Sequence, residues 1–216
     1  MGLPPANLWD LSFSLYFVVM KLIFATNNEH KAEEIRSIVR DSYEILTLKE
    51  AGIDIDIQEP YATLEANASE KSQTIYRLTH TNCFSEDTGL EVTALNGEPG
   101  VKSARYAGEA RSFDKNIEKL LQNLKGKSDK TARFRAVISL IIDGKETLFE
   151  GICRGTIVSE KRGSQGFGYD PIFIPEGSGR TFAEMGLKEK TLYSHRARAT
   201  EKLVAFLNTL EPINKF

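Results

Sequence analysis

The sequence predicts a single α/β domain with a mixed sheet, on three observations. Strand-like and helix-like periodicities alternate through the first half of the chain. Two long apolar runs then meet at Asp143-Gly144. No repeat, low-complexity tract or linker of domain-splitting length interrupts them. A length of 216 residues suits one such domain with a sizeable core.

The elements follow in order. Leu22-Ile23-Phe24-Ala25 is an apolar run that reads as a buried strand ending at Thr26-Asn27-Asn28. Asn28 is the N-cap candidate of a helix with Ala32, Ile35 and Val39 on one stripe. Pro60 breaks the chain before a second helix, expected from Thr63 to Leu78. Asn82–Glu86 reads as a short strand, and Asn96-Gly97-Glu98-Pro99-Gly100 is dense turn chemistry. Ser112 caps a third helix whose inner face is Ile117, Leu120, Leu121 and Leu124, with Gly126 as its stop. Ala132–Ile142 and Glu146–Ile157 pair as a hairpin around Asp143-Gly144. Ile172-Phe173-Ile174 adds a strand, and a last helix from Ser194 turns Leu203, Phe206, Leu207 and Leu210 inward.

Residues 1–19 stand apart. Their apolar stretch, Leu11–Val19, falls well short of the roughly 20 residues a membrane helix needs. No basic residue precedes it and no small-residue cleavage site follows, which disfavours a signal peptide. These residues are expected to be a leader outside the fold, with the domain at 20–216; an extra edge strand is the competing expectation. Charge is balanced, with 28 Lys and Arg against 30 Asp and Glu, so nothing in bulk attracts nucleic acid or an anionic membrane. Any grip on phosphate must come from a local cluster. Cys83 and Cys153 lie in apolar strand-like runs without metal-ligand spacing, which predicts reduced core thiols and a cytoplasmic protein.

Gly166-Phe167-Gly168-Tyr169-Asp170-Pro171 is the densest chemical signal. Its glycines allow close backbone approach, its rings offer faces to a flat base, and Lys190 with Ser194-His195-Arg196 follow it. Together they point to a nucleotide pocket, against the alternative of core aromatics. His195 and Arg196 in the first turn of a helix oppose its dipole, and a bound anion or carbonyl would offset that cost. Thr26-Asn27-Asn28-Glu29-His30-Lys31 joins strand to helix, where free N–H groups and Lys31 suit a phosphate; an ordinary capped helix start reads equally from the same residues. In Glu86-Asp87-Thr88-Gly89 adjacent carboxylates on a strand face opposite ways, so one enters a cleft while the other braces the fold. Asp87 is the inward candidate, beside a turn allowed by Gly89, and its hard oxygens suit Mg²⁺. Glu59, held extended by Pro60, is a candidate second ligand, and Lys71 shares a helix face with Asn67.

These segments resemble the inosine triphosphate pyrophosphatase family: FATNNEHK at 24–31, EDTGLEV at 86–92, PGVKSARYAG at 99–108, GFGYDPIF at 166–173, TFAEM at 181–185 and SHRARA at 194–199. The resemblance runs from Met20 to the last helix. It implies an elongated α/β fold, a site in a cleft between two lobes, and a homodimer. It also implies Mg²⁺-dependent hydrolysis of ITP, dITP and XTP to monophosphate and pyrophosphate. By the same resemblance Thr26 through Lys31 bind the triphosphate, and Glu59 and Asp87 bind metal, with Asp87 as proton acceptor. Lys71 reaches the phosphates and Thr88 touches substrate. Phe167, Gly168, Tyr169 and Asp170 form the base-side loop, and Lys190, His195 and Arg196 are further substrate contacts. Many relatives carry Asp-Asp-Ser-Gly where this chain has Glu86-Asp87-Thr88-Gly89; both swaps keep the functional groups. Two rival readings are a pyrophosphatase for modified pyrimidine nucleotides and a non-catalytic nucleotide- or RNA-binding module.

Overall fold

A computed structural model describes residues 20–39 and 43–210; the expectations for residues 1–19 lie outside this range. Among the described residues, β1 (Met20–Phe24), β2 (Tyr43–Thr47), β3 (Cys83–Val92), β4 (Pro99–Gly100), β5 (Thr131–Ile142), β6 (Lys145–Ile157) and β7 (Phe173–Pro175) form one sheet in the order β2-β1-β3-β5-β6-β7, with β4 joined to β3 off that path. β1 pairs in parallel with β2 and with the start of β3. β5, β6 and β7 continue antiparallel, so the sheet is mixed. Asp143 (φ 49°) and Gly144 (φ 79°) make the tight hairpin turn between β5 and β6, as their sequence predicts.

Helices α1 (Glu29–Val39) and α5 (His195–Leu210) cover one face. Ala32, Ile35, Leu203 and Leu207 pack there on Leu22, Phe24, Phe84, Ile138 and Leu140. Helix α2 (Leu64–Thr79), capped by the Thr63 hydroxyl, covers the other face through Ile75 against Cys83 and Ile141. Helix α3 (Phe113–Asn123), capped by Ser112, closes the far end with Ile117 and Leu120 beside Leu90, Phe134 and Phe173. A one-turn helix α4 (Leu187–Thr191) precedes α5. Both cysteines are free and buried, and burial pushes each thiol up to about 12. Among the described residues no helix is long and apolar enough to cross a membrane.

Three expectations need correction. β3 runs ten residues, so Glu86-Asp87-Thr88-Gly89 lies in mid-strand and not at a turn. Gly89 serves a close approach instead: a Cβ there would sit 2.6 Å from the Gly100 carbonyl on β4 (Pro99–Gly100). Leu210, expected inward, is exposed at the end of α5. β2 has no counterpart among the predicted elements.

The arrangement of β3 positions everything that follows. Along the edge opposite β5, β1 pairs with β3 only at Cys83 and Phe84, and β4 only at Leu90 and Glu91. The backbone between them faces a gap in the sheet. That gap is the cleft.

Candidate active site

A cavity of about 450 Å³ occupies the gap. Its lining includes Thr26, Asn27, Asn28, Lys31, Glu59, Lys71, Asp87, Thr88, Phe167, Gly168, Tyr169, Asp170, Lys190, His195 and Arg196. Two expected residues stay outside it: Glu29 and His30 are exposed on the first turn of α1, and His30 reaches the site only by stacking on Phe167, with ring centroids 5.1 Å apart.

At one end the Lys71 ammonium spends its three donors on Glu59 Oε1 (2.6 Å), Asp87 Oδ1 (3.2 Å) and the Glu86 carbonyl (3.0 Å). That carbonyl points into the gap where no strand can receive it, and Lys31 also donates to it at 3.4 Å. Burial opposes charge on Lys71, but the carboxylates of Asp87 and Glu59 outweigh it and raise its pKa. Burial likewise works to raise the Glu59 carboxyl, and Lys71 overcomes this to hold it below its ordinary value. For Asp87 burial wins and the pKa is raised, against the pull of Lys71. Asp87 Oδ2 is buried and has no hydrogen-bond partner. An orphaned carboxylate oxygen beside a second carboxylate fits Mg²⁺, which takes one or two protein carboxylates and fills its remaining positions with water and phosphate.

Neighbouring β3 residues face opposite sides, so Glu86 turns away from Asp87 toward α1 and α5. There it meets Lys31 (3.1 Å) and Arg196 (3.0 Å). Arg196 also binds Glu34, and Glu34 binds Lys190 (2.7 Å), which in turn binds Asp170. Acids and bases thus alternate along a chain that is buried from Asp170 through Lys190, Glu34 and Arg196 to Glu86 and ends at the partly exposed Lys31. Burial tends to raise Glu34 and Glu86, but Arg196, with Lys190 for the one and Lys31 for the other, pulls each down to about 2. Burial raises the Asp170 carboxyl in spite of Lys190. The charge of Arg196 at the start of α5 is therefore balanced by the carboxylates of Glu34 and Glu86. Of the five guanidinium N–H groups of Arg196, four are spent on Glu34, Glu86 (twice) and Thr88, which leaves one on Nη1.

Beside Arg196, His195 stacks on Phe134 with ring centroids 4.6 Å apart. Both its ring nitrogens are buried without partners. Burial and then Arg196 push its pKa well below the usual value, so the imidazole is neutral. Phe167 lies across this end, with the Lys190 ammonium 5.2 Å and the Arg196 guanidinium 5.5 Å from its ring centre. Its loop is fixed by Asp170, which accepts from the Phe167 amide (2.9 Å); a Cβ on Gly166 would collide with that carboxylate. Tyr169 is buried in the core and donates to the Ser103 carbonyl (2.9 Å).

The geometry has a known setting. The model of the Ham1 family matches residues 22–206. The chain belongs to the Ham1 family. Among similar Ham1 relatives, the dITP/XTP pyrophosphatase of Porphyromonas gingivalis is 52% identical over 188 residues, which cover 87% of this chain and 97% of the relative. That of Christiangramia forsetii is 48% identical over 88% of this chain and the whole relative. Two solved structures share the fold: the Ham1 protein of Staphylococcus aureus (TM-score 0.80, 40% identity) and a HAM1 protein of Coxiella burnetii (TM-score 0.81, 34% identity). Each covers 88% of this chain and all of its own. The Ham1 fold accordingly accounts for the single mixed-sheet domain predicted from the sequence.

Sequence reasoning passed over Glu34, Glu86 as a partner of Arg196, and the cavity-lining Arg111 and Phe113. Glu34 carried one usable signal: it lies three residues after Lys31, on the same face of α1.

Proposed function

We propose that this Ham1 chain is a dITP/XTP pyrophosphatase that uses Mg²⁺ to convert non-standard purine nucleoside triphosphates to the monophosphate and pyrophosphate. The name carried by relatives along nearly its whole length supports the reading. The observation that carries it is the set of orphaned polar atoms. Among the described residues, the only buried side-chain oxygens and nitrogens without a partner are Asp87 Oδ2 and the two nitrogens of His195. They line the same cavity, the oxygen near Glu59 and Lys71, the nitrogens beside a donor-only guanidinium. Buried polar groups without partners are costly, and a ligand spanning the cleft would satisfy them at both ends.

Glu59 and Asp87 would hold the metal, which supplies charge neutralisation to the phosphates. Lys71 and Lys31 stabilise negative charge on the phosphate oxygens. Asp87 accepts the proton of the attacking water. At the base end the neutral His195 either donates or accepts, depending on tautomer, whereas Arg196 can only donate. Its remaining N–H suits the 6-keto oxygen of hypoxanthine or xanthine and finds only an amino donor in adenine. Arg196 therefore sets the preference and His195 adapts to it. The test is Asp87→Asn assayed for pyrophosphate release from dITP with Mg²⁺. A loss of at least a hundredfold in kcat is expected, and near wild-type turnover would refute the assignment.

A further inference from the structure

We propose that Asn67 is a positioning residue that sets the metal-binding carboxylate of Glu59 by clasping the chain two residues beyond it; this rests on the metal reading above. Glu59 lies in a segment with no regular structure between β2 and α2. Among the described residues, the hydrogen bonds to the backbone of residues 54–62 come from two side chains. The Asn67 Oδ1 accepts from the Tyr61 amide (2.9 Å) and its Nδ2 donates to the Tyr61 carbonyl (3.1 Å). Arg105 reaches the Glu59 carbonyl at 3.5 Å and its carboxylate at 3.6 Å.

The Asn67 amide thus pairs with both polar groups of one residue, as a neighbouring strand would, and it does so while almost wholly buried. Pro60, between Glu59 and Tyr61, has no N–H and a fixed φ, so anchoring Tyr61 passes directly to Glu59. Lys71 follows Asn67 by one turn on the same helix face and donates to the Glu59 carboxylate at 2.6 Å. One face of α2 therefore fixes both the backbone and the carboxylate of Glu59. An Asn that merely supported the fold would have no reason to act on metal affinity; one that aims a ligand must. Groups that orient metal ligands typically alter metal affinity by about 10–100-fold when removed.

The experiment compares full-length wild type, Asn67→Ala and Glu59→Gln. Free Mn²⁺ is titrated without nucleotide and followed by electron paramagnetic resonance, and hydrogen exchange is read at the Tyr61 amide. Asn67→Ala is expected to weaken Mn²⁺ binding about tenfold, to raise the Mg²⁺ concentration for half-maximal dITP hydrolysis by a similar factor, and to speed Tyr61 exchange at least tenfold. Asn67→Asp keeps the acceptor but loses the donor. Its second oxygen then faces the Tyr61 carbonyl, so its effect is expected to match that of the alanine variant, and it replaces that variant should that one not fold. A folded Asn67→Ala that binds Mn²⁺ within twofold of wild type, while Glu59→Gln does not, overturns the clasp alone. Undiminished Mn²⁺ binding by Glu59→Gln overturns the metal reading and the clasp with it.

Discussion

Replacing Arg196 with Ala tests the buried charge chain at its centre. Arg196 is 1% exposed and, among the described residues, is the one cation shared by Glu34 and Glu86. Its loss leaves Lys190 alone on Glu34 and Lys31 alone on Glu86. Breaking a buried ionic cluster on one side costs about 3–5 kcal/mol. At about 2–4 °C per kcal/mol for a chain of this size, Tm should fall by roughly 6–20 °C. The pH dependence has a definite sign. Both carboxylates are held at about 2 against an ordinary 4.5, each displacement being worth on the order of 3 kcal/mol. A folded pKa below the unfolded one means that this stability is complete above pH 4.5 and is lost as pH falls toward 2. Without Arg196 both carboxylates rise, so acid unfolding begins at a higher pH. Calorimetry from pH 7 to pH 3 at low salt reads both effects. A Tm within 2 °C of wild type at pH 7, with an unchanged acid limb, would refute the reasoning. The same variant should narrow the ITP-over-ATP ratio of kcat/KM by roughly ten- to a hundredfold, the value of one base-reading contact.

Other substitutions probe other parts of the molecule. Gly89→Ala forces β3 and β4 apart at the mouth of the cleft, so stability should fall by about 1–3 kcal/mol in denaturant titration, with a larger loss of kcat/KM. Gly166→Ala meets both the Asp170 carboxylate and a φ of 72°; steady-state kinetics should give a higher KM for dITP with a smaller change in kcat. Leu203→Ala empties a fully buried position between α5 and the sheet and should cost about 2–5 kcal/mol by urea unfolding while leaving KM within twofold.

Much of the fold was legible because local chemistry and global structure agree. Thr63 and Ser112 cap α2 and α3, and Asp143-Gly144 turns the hairpin, each with the geometry its residue type favours. β2 escaped because Tyr43–Thr47 is a short edge strand whose pairing with β1 is non-local. The length of β3 escaped for a related reason: Glu86, Asp87 and Gly89 are poor strand formers, kept in register by pairing with Ile138, Val137 and Arg135 on β5. Within the site, the residue types that do chemistry were visible as motifs, but their allegiances were not. Asp87 and Glu86 differ by one position and lie on opposite faces, and only the three-dimensional approach of α1 and α5 ties Glu86 and Glu34 to Arg196. Arg196 consequently reads as a free donor in the sequence and as a nearly saturated one in the structure.

The bare stretch of β3 between β1 and β4 has one more consequence. An unpaired strand edge is ordinarily adhesive, a template onto which any extended peptide can zip. Here the buried carbonyl of Glu86 is capped by the ammonium groups of Lys71 and Lys31, so it offers no free acceptor to a peptide backbone. On the proposed function, the same two ammonium groups would meet the phosphates of the substrate.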